Sequence, residues 1–333
     1  MKLATLRDAT RDGQLVVVSR DLTRMCAVPE ICRTLQAALD DWETSAPLLN
    51  ACYEALNAAQ LNFAEFDPAK CAAPLSRAYQ WLDASSYLNH VELVRRARGA
   101  DMPASFYTDP LMYQGASDDF LGPRDPIVAE TEDLGIDLEA EVVVVTNDVP
   151  RGTSSADALD HIILIALVND VTLRSLVSTE IAKGFGFLQS KPASALSPVF
   201  VTPDELGSSW RDGKVHLPLE VSINGEWLGA PKAGEDMQFH FGELVAHAAR
   251  SRRLVAGTLV GSGTVSNRDE RAGVCCLAEK RVREQLRDGH AKTPFLKAGD
   301  RIAISMRDDS GREIFGSIEQ RVHVLEQPTC QIG

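Results

Sequence analysis

The chain has 333 residues, 44% of them apolar, which is enough to fill more than one core and excludes a fibrous or wholly disordered chain. Lys and Arg total 34 against 47 Asp and Glu, a formal charge of -13. That charge repels phosphate backbones and anionic lipid surfaces, so a broadly basic nucleic-acid-binding face is excluded and no membrane partner is expected.

Residues 1–13 lack the apolar core of a signal peptide, and no apolar run approaches the roughly 18 residues that span a bilayer, so a cytoplasmic protein is expected. Residues 1–6 and 14–19 read as short strands with turn chemistry at Arg11, Asp12 and Gly13 between them, which predicts a hairpin. Two helical segments follow, with apolar stripes at Leu35, Leu39 and Trp42 and at Leu48, Cys52 and Leu56. Residues 62–76, with Pro68 and Pro74, lose that periodicity and predict a linker near residue 70. The expected division is a small β-rich domain over residues 1–72 and a catalytic domain over 73–333.

Beyond Tyr79 the pattern turns strand-rich. The runs 138–146 and 162–168 are β-branched and apolar, and Leu217, Leu219, Val221 and Ile223 alternate before Asn224-Gly225, a strong hairpin signal. Ile302, Ile304 and Met306 alternate toward a turn at residues 308–311, and residues 314–324 return. Helical pieces are expected near 155–160, as a turn after Thr172, and over 241–253 and 277–286. An α+β, β-rich fold follows. The seven cysteines (Cys26, Cys32, Cys52, Cys71, Cys275, Cys276 and Cys330) form no C-x-x-C pair, so they read as small apolar fillers and not as a disulfide framework or zinc ribbon.

Glu139 and Glu141 sit two apart in a strand that otherwise wants burial, which puts both on one face about 7 Å apart at the backbone. Two readings fit: the solvated face of an edge strand, or oxygen ligands for a hard divalent cation. Asp170 closes the run 162–168, as a cap or as a third oxygen ligand. His90 follows Asp83 by seven residues and has the titration range of a general base, although a lone histidine is equally a satisfied surface or core group. Lys191 lies in a proline-bounded loop. Gly261-Ser262-Gly263-Thr264 either turns the chain or presents backbone N–H groups to an anion. The sequence has no Walker A loop, G-x-G-x-x-G or G-x-S-x-G, which removes the main support for nucleotide binding and serine-hydrolase chemistry.

Taken in order, Asp83 with His90, Tyr113-Gln114-Gly115, Leu138 to Glu141, Val168-Asn169-Asp170 with Arg174, Lys191, Gly261 to Thr264 and Glu279 resemble the fumarylacetoacetate hydrolase family. The resemblance implies a mixed β-sheet roll as the catalytic domain, a small N-terminal β-barrel-like domain and a homodimer. It implies Mg²⁺ or Ca²⁺, with Mn²⁺ as a substitute, held by Asp83, Glu139, Glu141 and Asp170. It also implies His90 as general base, Glu279 as the carboxylate that orients it, Lys191 as cationic stabiliser, and Tyr113, Arg174 and Thr264 as substrate contacts. Three departures stand out. Ala116 follows Gly115 where the animal-type enzyme has an arginine, Val177 stands where a glutamine is expected, with Gln189 as a candidate replacement, and Arg95, Arg96 or Arg98 must stand in for a further arginine. The expected activity is metal-dependent cleavage of a carbon–carbon bond in a β-diketo acid, fumarylacetoacetate or a related acylpyruvate, in aromatic-compound catabolism. Decarboxylation of oxaloacetate, and isomerisation or hydration of keto acids, are the alternatives within the same superfamily. A non-catalytic protein with a structural Ca²⁺ is the alternative outside it.

Overall fold

The computed structural model describes residues 1–97 and 99–325, so Arg98 and Cys330 lie outside the described residues. Its centre is a mixed sheet whose strands are β1 (Lys2–Leu6), β2 (Gln14–Val18), β3 (Arg24–Ala27), β4 (Ala64–Glu65), β5 (Trp81–Ala84) and β6 (Met112–Gln114) from the first third of the chain. β7 (Ile127–Ala129) belongs to a second sheet, after which β8 (Ala140–Thr146), β9 (Ile162–Asn169) and β10 (Phe200–Val201) return to the first. β11 (Leu219–Ile223), β12 (Glu226–Gly229), β14 (Arg301–Met306) and β15 (Ile318–Val324) complete the second sheet, while β13 (Thr258–Gly261) joins the first. The spatial order is β4-β3-β2-β1-β10-β9-β8-β13-β5-β6 in one sheet and β12-β11-β14-β15-β7 in the other.

Every residue of β8 and β9 is buried, which is why both read as near-continuous aliphatic runs. Alternate side chains serve different cores. Val142, Val144, Ile165 and Leu167 pack with Val221, Ile304 and Ile318 of the second sheet, whereas Val143, Val145, Leu164 and Ala166 pack under α1 (Leu35–Asp40) and α2 (Trp42–Asn57). β8 lies between β9 and β13, so the edge-strand reading of Glu139 and Glu141 fails: the two are 5% and 0% exposed.

The β1–β2 hairpin forms as expected, and so does the β11–β12 turn, where Asn224 and Gly225 both take positive φ, 55° and 80°. α2 begins at Trp42 and is rotated from the expected stripe: Ser45, Leu49, Tyr53 and Leu56 face inward, and Leu48 is 50% exposed. Residues 62–76 run back along β1 and are fastened to it. The Arg7 amide donates to the Lys70 carbonyl at 3.0 Å, the Ala72 amide to the Thr5 carbonyl at 3.0 Å, and Thr5 Oγ1 to the Pro74 carbonyl at 2.8 Å. β1 also pairs with β10, so the N-terminal strands continue the central sheet. Three further helices serve the site: α3 (Leu88–Ala97), which was not among the expected helices, α4 (Arg174–Lys183), expected only as a turn, and, beyond α5 (Phe241–Ala248), α6 (Leu277–Asp288). The cysteines behave as fillers at Cys71, Cys275 and Cys276, but Cys26 on β3 and Cys52 on α2 are half-buried with their sulfurs 3.0 Å apart. No helix of the described residues is long and apolar enough to cross a membrane.

Candidate active site

Three strands of the central sheet deliver three carboxylates to one point. β5 carries Asp83, β8 carries Glu141, and Asp170 follows the end of β9; oxygen atoms of the three lie within 4.8 Å of one another and all three residues are buried. β13 runs between β5 and β8, and glycine lets it pass. A Cβ on Gly261 would stand 2.5 Å from Asp83 Oδ1, and Gly263, at φ 80°, donates its amide to the same oxygen at 3.1 Å. The 261–264 glycines thus combine both sequence readings, a turn and an N–H aimed at an anion.

Burial and the neighbouring Asp170 charge push the Asp83 carboxyl up to about 8. Burial and Asp83 likewise hold Glu141 well above the ordinary carboxylate range. Both oxygens of Glu141 are buried without a hydrogen-bond partner among the described residues. Such orphaned oxygens in an all-oxygen cluster fit a hard divalent cation, whose charge would remove the mutual repulsion.

Glu139 has different company. Its carboxylate takes Arg174 Nη2 at 2.6 Å and Lys191 Nζ at 2.5 Å, and although burial opposes it, Arg174 and then Lys191 hold it below its ordinary value. Lys191, 7% exposed and no solvated loop lysine, also donates to Asp170 Oδ2 at 2.5 Å and Thr172 Oγ1 at 2.9 Å. Desolvation pulls its ammonium down, but Asp170 and Glu139 outweigh that and keep it charged. Tyr113 donates to Asp170 Oδ2 at 2.5 Å and Ser194 to Asp170 Oδ1 at 2.8 Å.

On the opposite wall, His90 rides on α3 with Nδ1 2.8 Å from Glu279 Oε2 of α6. Glu279 is fully buried and also accepts from Ser266 at 3.0 Å and Arg283 at 2.6 Å. Burial would raise its carboxyl, but the His90 hydrogen bond and the Arg283 charge hold it low. A carboxylate only accepts, so Nδ1 donates and Nε2 is left as the basic nitrogen on the cavity side. Between the two walls is a cavity of about 290 Å³ lined by Asp83, His90, Tyr113, Glu139, Arg174, Lys191 and Thr264, among others.

All ten expected site residues therefore meet at one place, with Glu139 tied to the cations beside the three-carboxylate cluster. Of the stand-ins, Arg95 lines the cavity, whereas Arg96 and Gln189 are exposed and do not. One residue went unread: Asp137, fully buried, accepts from Arg174 Nε at 2.8 Å and from the Leu277 and Ala278 amides at 2.8 and 2.9 Å. It thereby seats Arg174 and the start of α6 together. The period-two series Asp137, Glu139, Glu141 was the available signal.

Comparison with known proteins identifies the family. Residues 81–323 match the family model "Fumarylacetoacetate (FAA) hydrolase C-terminal", and residues 1–77 match "Fumarylacetoacetase N-terminal domain 2". The chain is 30% identical over 160 residues to 2,4-didehydro-3-deoxy-L-rhamnonate hydrolase of Sphingomonas sp. (strain SKA58), covering 47% of this chain and 53% of that protein. It is 26% identical over 225 residues to oxaloacetate tautomerase YisK of Bacillus subtilis (strain 168), covering 66% and 64%. The match thus spans between about half and two thirds of these relatives' length. Among solved structures, the fumarylacetoacetate hydrolase of Exiguobacterium antarcticum superposes with a TM-score of 0.64 at 18% identity, covering 98% of this chain and 100% of that one. Maleylpyruvate hydrolase from Sphingobium sp. SYK-6 superposes at 0.63 and 16% identity with the same coverage. With both family models accounting for nearly the whole described chain, and with a sheet-rich α+β fold shared across those structures, the protein belongs to the fumarylacetoacetate hydrolase family.

Proposed function

We propose that the protein is a divalent-metal-dependent hydrolase that cleaves a carbon–carbon bond in a β-diketo acid of the fumarylacetoacetate or acylpyruvate type, acting as the homodimer that the family resemblance implies. Asp83, Glu141 and Asp170 would hold Mg²⁺, Ca²⁺ or Mn²⁺, with Glu139 alongside as the fourth carboxylate. When bound, the cation supplies polarisation of the substrate's oxygens. The observation that carries the reading is the His90–Glu279 pair, 2.8 Å apart and facing the carboxylate cluster across one cavity. A hydrolase must activate water, and this pair is a base with its orienting anion.

His90 Nε2 takes a proton from water while its Nδ1–H stays on Glu279, so the positive charge formed on the ring is met by a buried carboxylate. The water oxygen bonds to the acyl carbonyl carbon, giving a tetrahedral oxyanion. The carbon–carbon bond then breaks, its electron pair leaves as an enolate, and His90 returns the proton to that carbon. Lys191, kept charged by Asp170 and Glu139, stands where negative charge accumulates. Arg174, Tyr113 and Thr264 orient the substrate.

The test is loss of enol absorbance with an acylpyruvate. Chelation is expected to abolish turnover and Mg²⁺ or Mn²⁺ to restore it; full activity in metal-stripped protein would refute the reading. A second reading is keto–enol tautomerisation of oxaloacetate, favoured by the similarity to the Bacillus subtilis tautomerase. There the same base would move a proton between carbon and oxygen of the substrate without activating water. Robust action on oxaloacetate together with no acylpyruvate cleavage would select it.

A further inference from the structure

The reading above assigns what meets the carboxylate end of the cavity and leaves the far end open. That far end is built by two helices. α3 places His90 at the chemical end and Val91 and Val94 farther along, and α4 does the same with Arg174 followed by Val177 and Ile181, three and seven positions on and so on one face. Phe106 and Phe187 close the wall, and Phe187 stands edge-on to Tyr113 with centroids 5.0 Å apart. At Val177 the resemblance calls for a glutamine, so hydrocarbon faces the cavity where an amide was expected.

The cations lining the cavity sit mostly at its carboxylate end. Lys191 and Arg174 serve the carboxylates described above. Arg95 donates Nε to the Asp101 carbonyl at 2.7 Å and lies over the Phe106 ring at 5.4 Å. An alkyl or aryl group placed against the valines, the isoleucine and the phenylalanines of this wall would leave water for apolar surface.

We propose that Val91, Val94, Val177, Ile181 and the two phenylalanines form a subsite for a hydrocarbon acyl tail of an acylpyruvate. The inference rests on the proposed function for the position of the reacting end. The experiment uses full-length, Mg²⁺-loaded protein carrying His90→Ala, so that the ligand survives calorimetric titration with acetylpyruvate, hexanoylpyruvate or fumarylpyruvate. Hexanoylpyruvate is expected to bind at least ~10-fold tighter than acetylpyruvate, from the added methylenes, and tighter than fumarylpyruvate. Val177→Gln, or Ile181→Gln on the half-exposed part of the wall, is expected to cut the hexanoyl-to-acetyl affinity ratio about threefold or more, since each puts an amide against the tail. Tighter binding of fumarylpyruvate than of hexanoylpyruvate, or a hexanoyl preference untouched by both substitutions, would overturn the subsite. Turnover is followed separately with the unsubstituted protein. Tight hexanoylpyruvate binding without cleavage of any of the three would refute the hydrolase and leave the subsite standing.

Discussion

Glu139 and Glu141 are separated by one residue and meet opposite electrostatic environments. Glu139 is held low by two cations, and Glu141 is held high with Asp83 by burial and mutual repulsion. The stability consequences therefore have opposite sign. A carboxyl raised in the fold, such as Asp83 at about 8, stabilises fully below its unfolded value near ~4, and that contribution is lost as pH rises through the folded value. Glu139 instead stabilises above its unfolded value and loses that contribution only on acidification. Metal-free protein is expected to melt at progressively lower temperature between about pH 5 and pH 8, by ~5 °C or more, with added Mg²⁺ or Mn²⁺ removing most of the decline. A flat thermal-denaturation profile over that range would contradict the assignment of Asp83 and Glu141. On the other wall, His90→Ala is expected to lower kcat by ~10²- to 10⁴-fold while Mg²⁺ affinity, read by titration, stays nearly constant. A histidine that only packs would cost stability and spare the rate per folded molecule.

Among the elements, α4 and α6 show how a helix becomes functional by where it starts. Asp137 caps the first amides of α6 and pairs with Arg174 at the start of α4, so one buried carboxylate fastens two helices to the entry of β8. Asp137→Ala leaves Arg174 with half its partners and α6 uncapped; a loss of about 3 kcal/mol or more in urea unfolding is expected. A loss below ~0.5 kcal/mol would mean that Asp137 anchors neither helix. The sequence made β8 and β9 readable because strands buried on both faces show unbroken β-branched runs. The β11–β12 turn was readable because only residues tolerant of positive φ fit it. α3 was legible too, since Leu88, Val91 and Val94 stand at helical spacing; in the fold Leu88 is buried while Val91 and Val94 face the cavity and are only half-buried. His90 and Glu279 lie 189 residues apart, and spacing alone could not join them; the resemblance did. Asp137 fell just outside the run read as a strand, although its alternation with Glu139 and Glu141 was on view.

Across the whole molecule, the sheet does not stop where the two family matches meet. β1 pairs with β10 through Lys2↔Val201 and Leu3↔Phe200, and α1 and α2 cover the face of β8 and β9 with Leu35, Leu39, Leu49 and Tyr53. A fragment beginning at residue 78 would expose that apolar face and leave β10 an open edge, so it is expected to be recovered insoluble or to lack a cooperative melt by circular dichroism. A monodisperse, cooperatively folding fragment would show that the two parts are independent. The register of β1 also carries a consequence in time. During synthesis, β1 cannot find its β10 neighbour until about two hundred further residues have been added, and β7 waits as long for β15. Closing such long loops before any contact rewards them makes folding slow: it leaves the outer edge of the β1–β2 hairpin open, and β7 without its strand partner, while those residues are being added.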